Sequence, residues 1–202
     1  MMEVNKILDE DVKITERIKI MCEQTEEIGH GTITMKPCKE EAARRRLLID
    51  FKTHSDQPDP SYICSPIEND IMKWIIVIFS TQGSLFENGI FKLAMTFCHD
   101  YPYKPPKVKF LTKMFHPNVA LDGTVCPEII ERNWSPATNV VSIVKRLQSL
   151  LDNPCSEKVT CYNPSATELF LTNKREYVKF VNDCVNESLK EENFDDQDEL
   201  FN

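Results

Sequence analysis

The sequence predicts an α+β fold, on three observations. Three β-rich stretches follow one another between residues 71 and 111, a helical stretch precedes them, and helical periodicity returns only after residue 138. Strands in series followed by helices in series differ from the alternating pattern that builds a parallel sheet. The chain of 202 residues suits one domain with tails, and 41% apolar residues, including 11 Phe and 5 Tyr, supply a core able to offset chain entropy.

In residues 4–22, Val4, Ile7, Leu8, Val12, Ile18 and Met21 fall at spacings that mostly fit one helical face. Gly29 and Gly31 break that helix, and residues 31–35 can add a short strand before Pro37. A second helix is predicted from about Lys39 to His54, with Ala43, Leu47 and Phe51 inward and Arg44, Arg45 and Arg46 at its start; Pro58 and Pro60 close the segment. The β-rich stretches are residues 71–80, 89–97 and 107–111, with Asn88-Gly89 marking a turn between the first two and an antiparallel meander as the natural pairing. Five of the 12 prolines then lie between residues 102 and 127, so that stretch is ordered by packing and not by long regular elements. Val140, Ile143, Val144, Leu147, Leu150 and Leu151 form one helical stripe, and a last helical region spans about Asn163 to Lys190.

Several function classes are excluded. The longest strictly apolar run, Trp74 to Phe79, has six residues, far short of the roughly 20 a membrane-spanning helix needs. The acidic N-terminus lacks the basic flank and apolar stretch of a secretory signal, so a cytoplasmic and nuclear protein is expected. Eight scattered cysteines without Cys-x-x-Cys read as free thiols, with no disulfide framework and no metal site expected. The net charge of −8 argues against direct nucleic-acid binding. Its distribution divides the chain: residues 1–40 carry 6 basic and 9 acidic residues and residues 187–202 carry 1 and 7, leaving 17 and 16 in residues 41–186. An N-terminal extension, a nearly neutral core and an acidic tail are therefore expected, the tail being a solvated end or a recruiter of a basic partner.

A proline-stiffened loop holding both a Cys and a His is the natural place to seek chemistry. His116-Pro117-Asn118, Gly123, Cys126 and Trp134-Ser135-Pro136, with Tyr101 to Pro106 upstream, lie in one such stretch. In this order the residues resemble the ubiquitin-conjugating enzyme family. The resemblance runs over roughly residues 42–190, and the Ala43 to Leu47 start and the Lys174 to Tyr177 segment are most similar to the branch linked to DNA repair and histone ubiquitylation.

The resemblance implies a four-stranded antiparallel meander with one helix before it and the others after it. It also implies a carrier enzyme that takes ubiquitin from an activating enzyme as a thioester on Cys126 and passes it to a lysine without a cofactor. Thiolate suits the task because it is both a good nucleophile and a good leaving group. Asn118 matches a family asparagine that stabilises the oxyanion or braces the loop, and both roles stand open. His116 reads as a packed residue rather than a base. Ser156 and Glu157 match the segment that assists the attacking lysine, although the stretch from Cys155 to Tyr162 is longer than the family's. Arg44, Arg45, Arg46 and Lys52 match the basic helix offered to the activating enzyme, and Tyr103, Pro105, Pro136 and Ala137 the loops that dock RING-type ligases. A basic substrate such as a histone fits the acidic tail.

Two departures bear on the chemistry. Pro127 and Glu128 replace the family's Leu-Asp, removing one backbone N–H after the nucleophile and placing a carboxylate that disfavours the thiolate. Alternatives are a noncatalytic scaffold of the same fold, which would ordinarily lack the carrier cysteine, and a thiol hydrolase, which would depend on His116.

Overall fold

The computed structural model describes residues 38–154 and 161–190. The expected helix over residues 4–22, the strand over 31–35, Ser156, Glu157 and the tail from residue 191 lie outside the described residues.

Helix α1 (Lys39–Asp56) comes first, and its stripe of Ala43, Leu47 and Phe51 is buried as expected, joined by Asp50. Four strands follow in an antiparallel sheet of order β1-β2-β3-β4: β1 (Tyr62–Ile67), β2 (Asp70–Phe79), β3 (Ile90–Thr96) and β4 (Lys107–Phe110). Periodicity finds the last three; β1 was visible only through the family resemblance. Pro66 conceals it, since proline lacks the N–H that a central ladder needs. The strand tolerates it because β1 is an edge strand whose register shifts between Pro66 and Ile67. Asn88-Gly89 is not a two-residue hairpin turn. It ends a longer loop, Asn88 holding φ 68°, with Ser80 N–H bonded to Gly89 C=O at 3.0 Å to close it.

Alternation along the strands sends Tyr62, Trp74, Ile76, Ile78, Phe91, Leu93, Met95, Val108 and Phe110 to one face, where all are buried. Helix α1 covers this face, with the Phe51 and Trp74 rings meeting edge-on at 5.8 Å. Helix α3 (Val140–Asp152) completes the core with the six expected residues of its stripe, and Asn139 caps it by accepting from Ser142 N–H at 2.9 Å. Burying each such Leu, Ile or Val contributes about 1.5–3 kcal/mol.

The last helical region is two helices, α4 (Pro164–Thr172) and α5 (Lys174–Ser188). Asn173 alone divides them. Its N–H bonds to Leu169 C=O at the end of α4, and its side chain accepts from Glu176 N–H at the start of α5, so one residue caps both. Helix α5 is tied to the sheet where Ile90 N–H donates to Ser188 Oγ at 3.2 Å.

Candidate active site

The site is built from a small hairpin pinned to the edge of β4. Phe110 N–H donates to Gly123 C=O at 2.7 Å and Val125 N–H to Val108 C=O at 3.0 Å, so residues 123–125 continue the sheet beyond its last strand. The chain reverses at Asp122-Gly123. Asp122 accepts from Thr124 N–H and Oγ1 at 3.0 and 2.9 Å, which holds its carboxyl below the usual range, and Gly123 sits at φ +88°. A Cβ on Gly123 would lie 2.0 Å from the Phe110 carbonyl oxygen, so only glycine permits this approach.

The hairpin closes where Cys126 N–H donates to Asn118 C=O at 3.0 Å. Residues eight apart in sequence thus face one another, and both are fully buried. Asn118 N–H donates to His116 Nδ1 at 3.1 Å, and His116 Nε2 lies 3.1 Å from Leu150 C=O. With Nδ1 accepting, Nε2 must carry the proton and donate it. Complete burial lowers the His116 pKa to about 4. His116 is therefore a neutral strut joining the hairpin to α3, with both ring nitrogens committed to backbone, and it is not available as a base.

Cys126 stands immediately before the short helix α2 (Pro127–Glu131), which was not expected from periodicity because it has only five residues. Pro127 stands at its first position, where the N–H would have no intrahelical partner in any case. The backbone N–H groups of Glu128 and Ile129 favour the thiolate instead, so the expected loss of a donor at residue 127 is partly made good. Against them, burial first and the Glu128 carboxylate second push the Cys126 thiol up to about 12. The thiol donates to Glu128 Oε2 at 2.7 Å, and the same bond holds the Glu128 carboxyl below its usual range.

The opposite rim comes from residues 161–163. Tyr162 N–H and Asn163 N–H both donate to Pro117 C=O, at 2.8 and 3.1 Å. The Tyr162 phenol is raised by desolvation and then by the charges of Glu128, Cys126 and Glu131. Sequence reasoning missed Tyr162; its one signal is its position before the Asn163-Pro164 helix start. Ser156 and Glu157, expected to assist the incoming amine, lie outside the described residues.

The residues matched to partner surfaces divide. Arg44 and Arg45 lie on α1 with ion pairs to Glu40 and Glu41 at 3.2 and 2.9 Å, and Lys52 is exposed on the same helix. Arg46 is different: its Nε bonds to the buried Asp50 at 2.9 Å, Nη1 to Pro136 C=O, and Nη2 to Thr138 C=O at 2.8 Å, with the guanidinium 5.5 Å from the Tyr101 ring centre. It fastens α1 to the loop before α3. Trp134 Nε1–H donates to Pro102 C=O at 2.9 Å and so joins that loop to the Tyr101–Pro106 loop. Tyr103, 79% exposed, and the half-buried Pro105 are presented on one loop, and the exposed Pro136 and Ala137 on the other. Among the described residues no group of three or more His, Cys, Asp or Glu is placed to hold a metal ion.

The sequence profile described as ubiquitin-conjugating enzyme matches residues 46–185. The chain is 43% identical over 146 residues to ubiquitin-conjugating enzyme E2 1 of Caenorhabditis elegans, covering 72% of this chain and 75% of that protein. It is 42% identical over 147 residues to ubiquitin-conjugating enzyme E2 2 of Trichoderma harzianum and 40% identical over 147 residues to the protein of that name in Fusarium solani. Each of these matches covers 73% of this chain and 96% of the relative.

Proposed function

Because this chain belongs to the ubiquitin-conjugating enzyme family, and works as a ubiquitin-transferring enzyme with activating enzymes and ligases, we propose that Cys126 is its carrier thiol. One observation carries the assignment: the hairpin bond between Cys126 N–H and Asn118 C=O holds the thiol opposite the matched asparagine on a sheet-pinned turn. In charging, Cys126 loses its proton to solvent, against the hold of Glu128 2.7 Å away, and the thiolate attacks the thioester carbonyl of ubiquitin's last glycine. A new S–C bond forms, the activating enzyme's S–C bond breaks, and its thiolate leaves. In transfer, the neutral lysine amine attacks the Cys126 thioester, a C–N bond forms as the S–C bond breaks, the amine's proton passes to solvent, and Cys126 leaves as thiolate.

Asn118 is proposed to order the loop through its backbone and to face the developing oxyanion with its amide. Arg44, Arg45 and Lys52 are proposed for the activating enzyme. Arg46 contributes indirectly, by holding the loop that carries Pro136 and Ala137. Tyr103, Pro105, Pro136 and Ala137 are proposed for a RING-type ligase, supported by the bond between Trp134 and Pro102 that makes one platform of two loops. A basic protein substrate such as a histone is proposed from the acidic tail.

The test is charging with activating enzyme, ubiquitin, ATP and magnesium, read on gels with and without reductant. A reductant-sensitive adduct should form with wild type and with Cys161→Ala and vanish with Cys126→Ala. An adduct that persists in Cys126→Ala overturns the assignment.

A further inference from the structure

We propose that a pocket between α5 and the hairpin that carries Cys126 receives a bulky apolar side chain of the acceptor protein, three or four residues away from the lysine that is modified. The inference rests on the assignment of Cys126 as the carrier thiol and names the class of substrate that reaches it.

The pocket starts from a turn. Gly123 N–H donates to Ala120 C=O at 3.0 Å and Ala120 N–H to Thr124 C=O at 2.9 Å, so residues 120–123 form a β-turn with Leu121 at its first corner. Such corners ordinarily carry polar residues or glycine and proline. Leu121 is instead 87% exposed, the most exposed large apolar side chain among the described residues. One exposed leucine means little by itself, but Leu121 lines a pocket of about 460 Å³ with Phe115 and Phe180, whose ring centres lie 4.8 Å apart. Phe180 is exposed and Phe115 half-buried, so the patch offers open aromatic surface, backed by the buried Met114 and Cys184. Lys113 and Lys190 line it against Asp183 and Glu187, with Lys113 paired to Glu187 at 3.3 Å, and the flanking Asp122 and Lys179 add one charge of each sign. The charges cancel, and the pocket selects by apolar contact.

Continuity with the transfer site selects the occupant. The backbone bond between Cys126 and Asn118 is followed along the hairpin by the bridge between Val119 and Val125 and then by the bond between Ala120 and Thr124. Leu121 is thus three residues from the rung that holds the thiol, about 10 Å at the rise of an extended strand. An extended acceptor segment with its lysine at Cys126 carries its third or fourth neighbour over that distance. The corner is also rigid: Asp122 accepts from Thr124, and Gly123 packs against the Phe110 carbonyl, so little loop ordering opposes binding. Three partly exposed side chains offer far less than the roughly 800 Å² per partner that a stable dimer buries, which suits a passing substrate and not a second copy.

The test charges the full chain with ubiquitin, using activating enzyme, ATP and magnesium, and follows single-turnover discharge to synthetic peptides. Each peptide has one lysine as its only charged side chain, with Leu or Ala at the third or fourth position on either side. Leu should lower the half-saturating peptide concentration about tenfold relative to Ala while the maximal rate stays the same. Leu121→Ser/Phe180→Ser, two changes at the surface, should erase that preference and leave charging and discharge to free lysine as in wild type. Equal half-saturation with Leu and Ala peptides overturns the proposal, as does a preference that survives in the double variant. A preference that emerges only after residues 191–202 are removed assigns the pocket to the chain's own tail and overturns it too. So does a mass that rises with concentration in wild type and not in the double variant, which assigns the pocket to a second copy. Failure of the carrier assignment is read separately, as an adduct that persists in Cys126→Ala.

Discussion

Replacing Glu128 by Gln keeps the side chain's length while removing its charge, and so isolates what the carboxylate does to the Cys126 thiol. With the thiol pushed up to about 12, about one molecule in ten thousand is ionised at pH 8, against about one in ten for a thiol at 9.0. About three decades of thiolate are therefore suppressed, and burial is the larger cause. The carboxylate's share is the smaller part, so its removal should raise the thiolate population about 3- to 30-fold. A thiolate of lower pKa is also a weaker nucleophile, with a Brønsted slope of about 0.4–0.5, which trims the gain in rate to about two- to sevenfold. The assay is alkylation with iodoacetamide at pH 8, read by mass spectrometry on the Cys126 peptide. The pH–rate midpoint should also move down from about 12 toward 9.0. An equal or slower rate in Glu128→Gln would refute the reasoning, since the 2.7 Å bond would then not hold the proton on sulfur.

His116 should make stability fall in acid. Its folded pKa of about 4 lies below the ordinary 6.5, so only the unfolded chain takes up the proton between those values and stability is lost as pH drops through that window. The loss is about 2 kcal/mol between pH 7 and pH 5, measured by urea denaturation, and His116→Gln should remove that slope. Gly123→Ala should cost about 2 kcal/mol or more by the same measurement, since it adds a backbone clash to a strained φ. Gly83→Ala, at φ +84° with open space around it, carries the strain alone and should cost less; equal losses would discount the clash. Arg46→Ala should destabilise the fold by about 3 kcal/mol, because it leaves the buried Asp50 with the Tyr101 hydroxyl as a donor but without its countercharge, whereas Arg45→Ala should leave the denaturation midpoint in place. Equal effects would remove the distinction drawn between the two arginines.

Periodicity was sufficient wherever an element buries one full face. All six stripe residues of α3, and Ala43, Leu47 and Phe51 of α1, are buried as expected, because a helix of 13 or 18 residues repeats its pattern several times; the buried Asp50 of α1 was not foreseen. Short elements repeat too little. Helix α2 has five residues and β1 has six, with a proline among them, so neither declares itself in composition. The division at Asn173 was hidden for another reason: asparagine is an ordinary residue until its side chain is seen to cap the next helix. In the site, the order of motifs singled out Cys126, and the charge of Glu128 pointed the right way for the thiol. Tyr162 and the carbonyl of Pro117 escaped notice because they act through backbone bonds between segments 45 residues apart, which no local pattern encodes. Arg46 shows the converse. It shares its residue type and helix with Arg44 and Arg45, and only the tertiary position of Pro136 and Thr138 sets it apart.

The paired bonds from Tyr162 and Asn163 to Pro117 uncouple chain length from site geometry. Helix α3 ends in its own hydrogen bond, Asn153 N–H to Ser149 C=O at 2.9 Å, and the chain is clamped again at Tyr162, so neither anchor depends on how many residues join them. Closing a loop of twice the length costs only about 0.6 kcal/mol more. Descendants of this sequence are therefore free to lengthen the stretch between residues 155 and 160 while the thiol stays in place. The same stretch is where an engineer would splice in a recognition peptide, delivering new cargo to the carrier without rebuilding it.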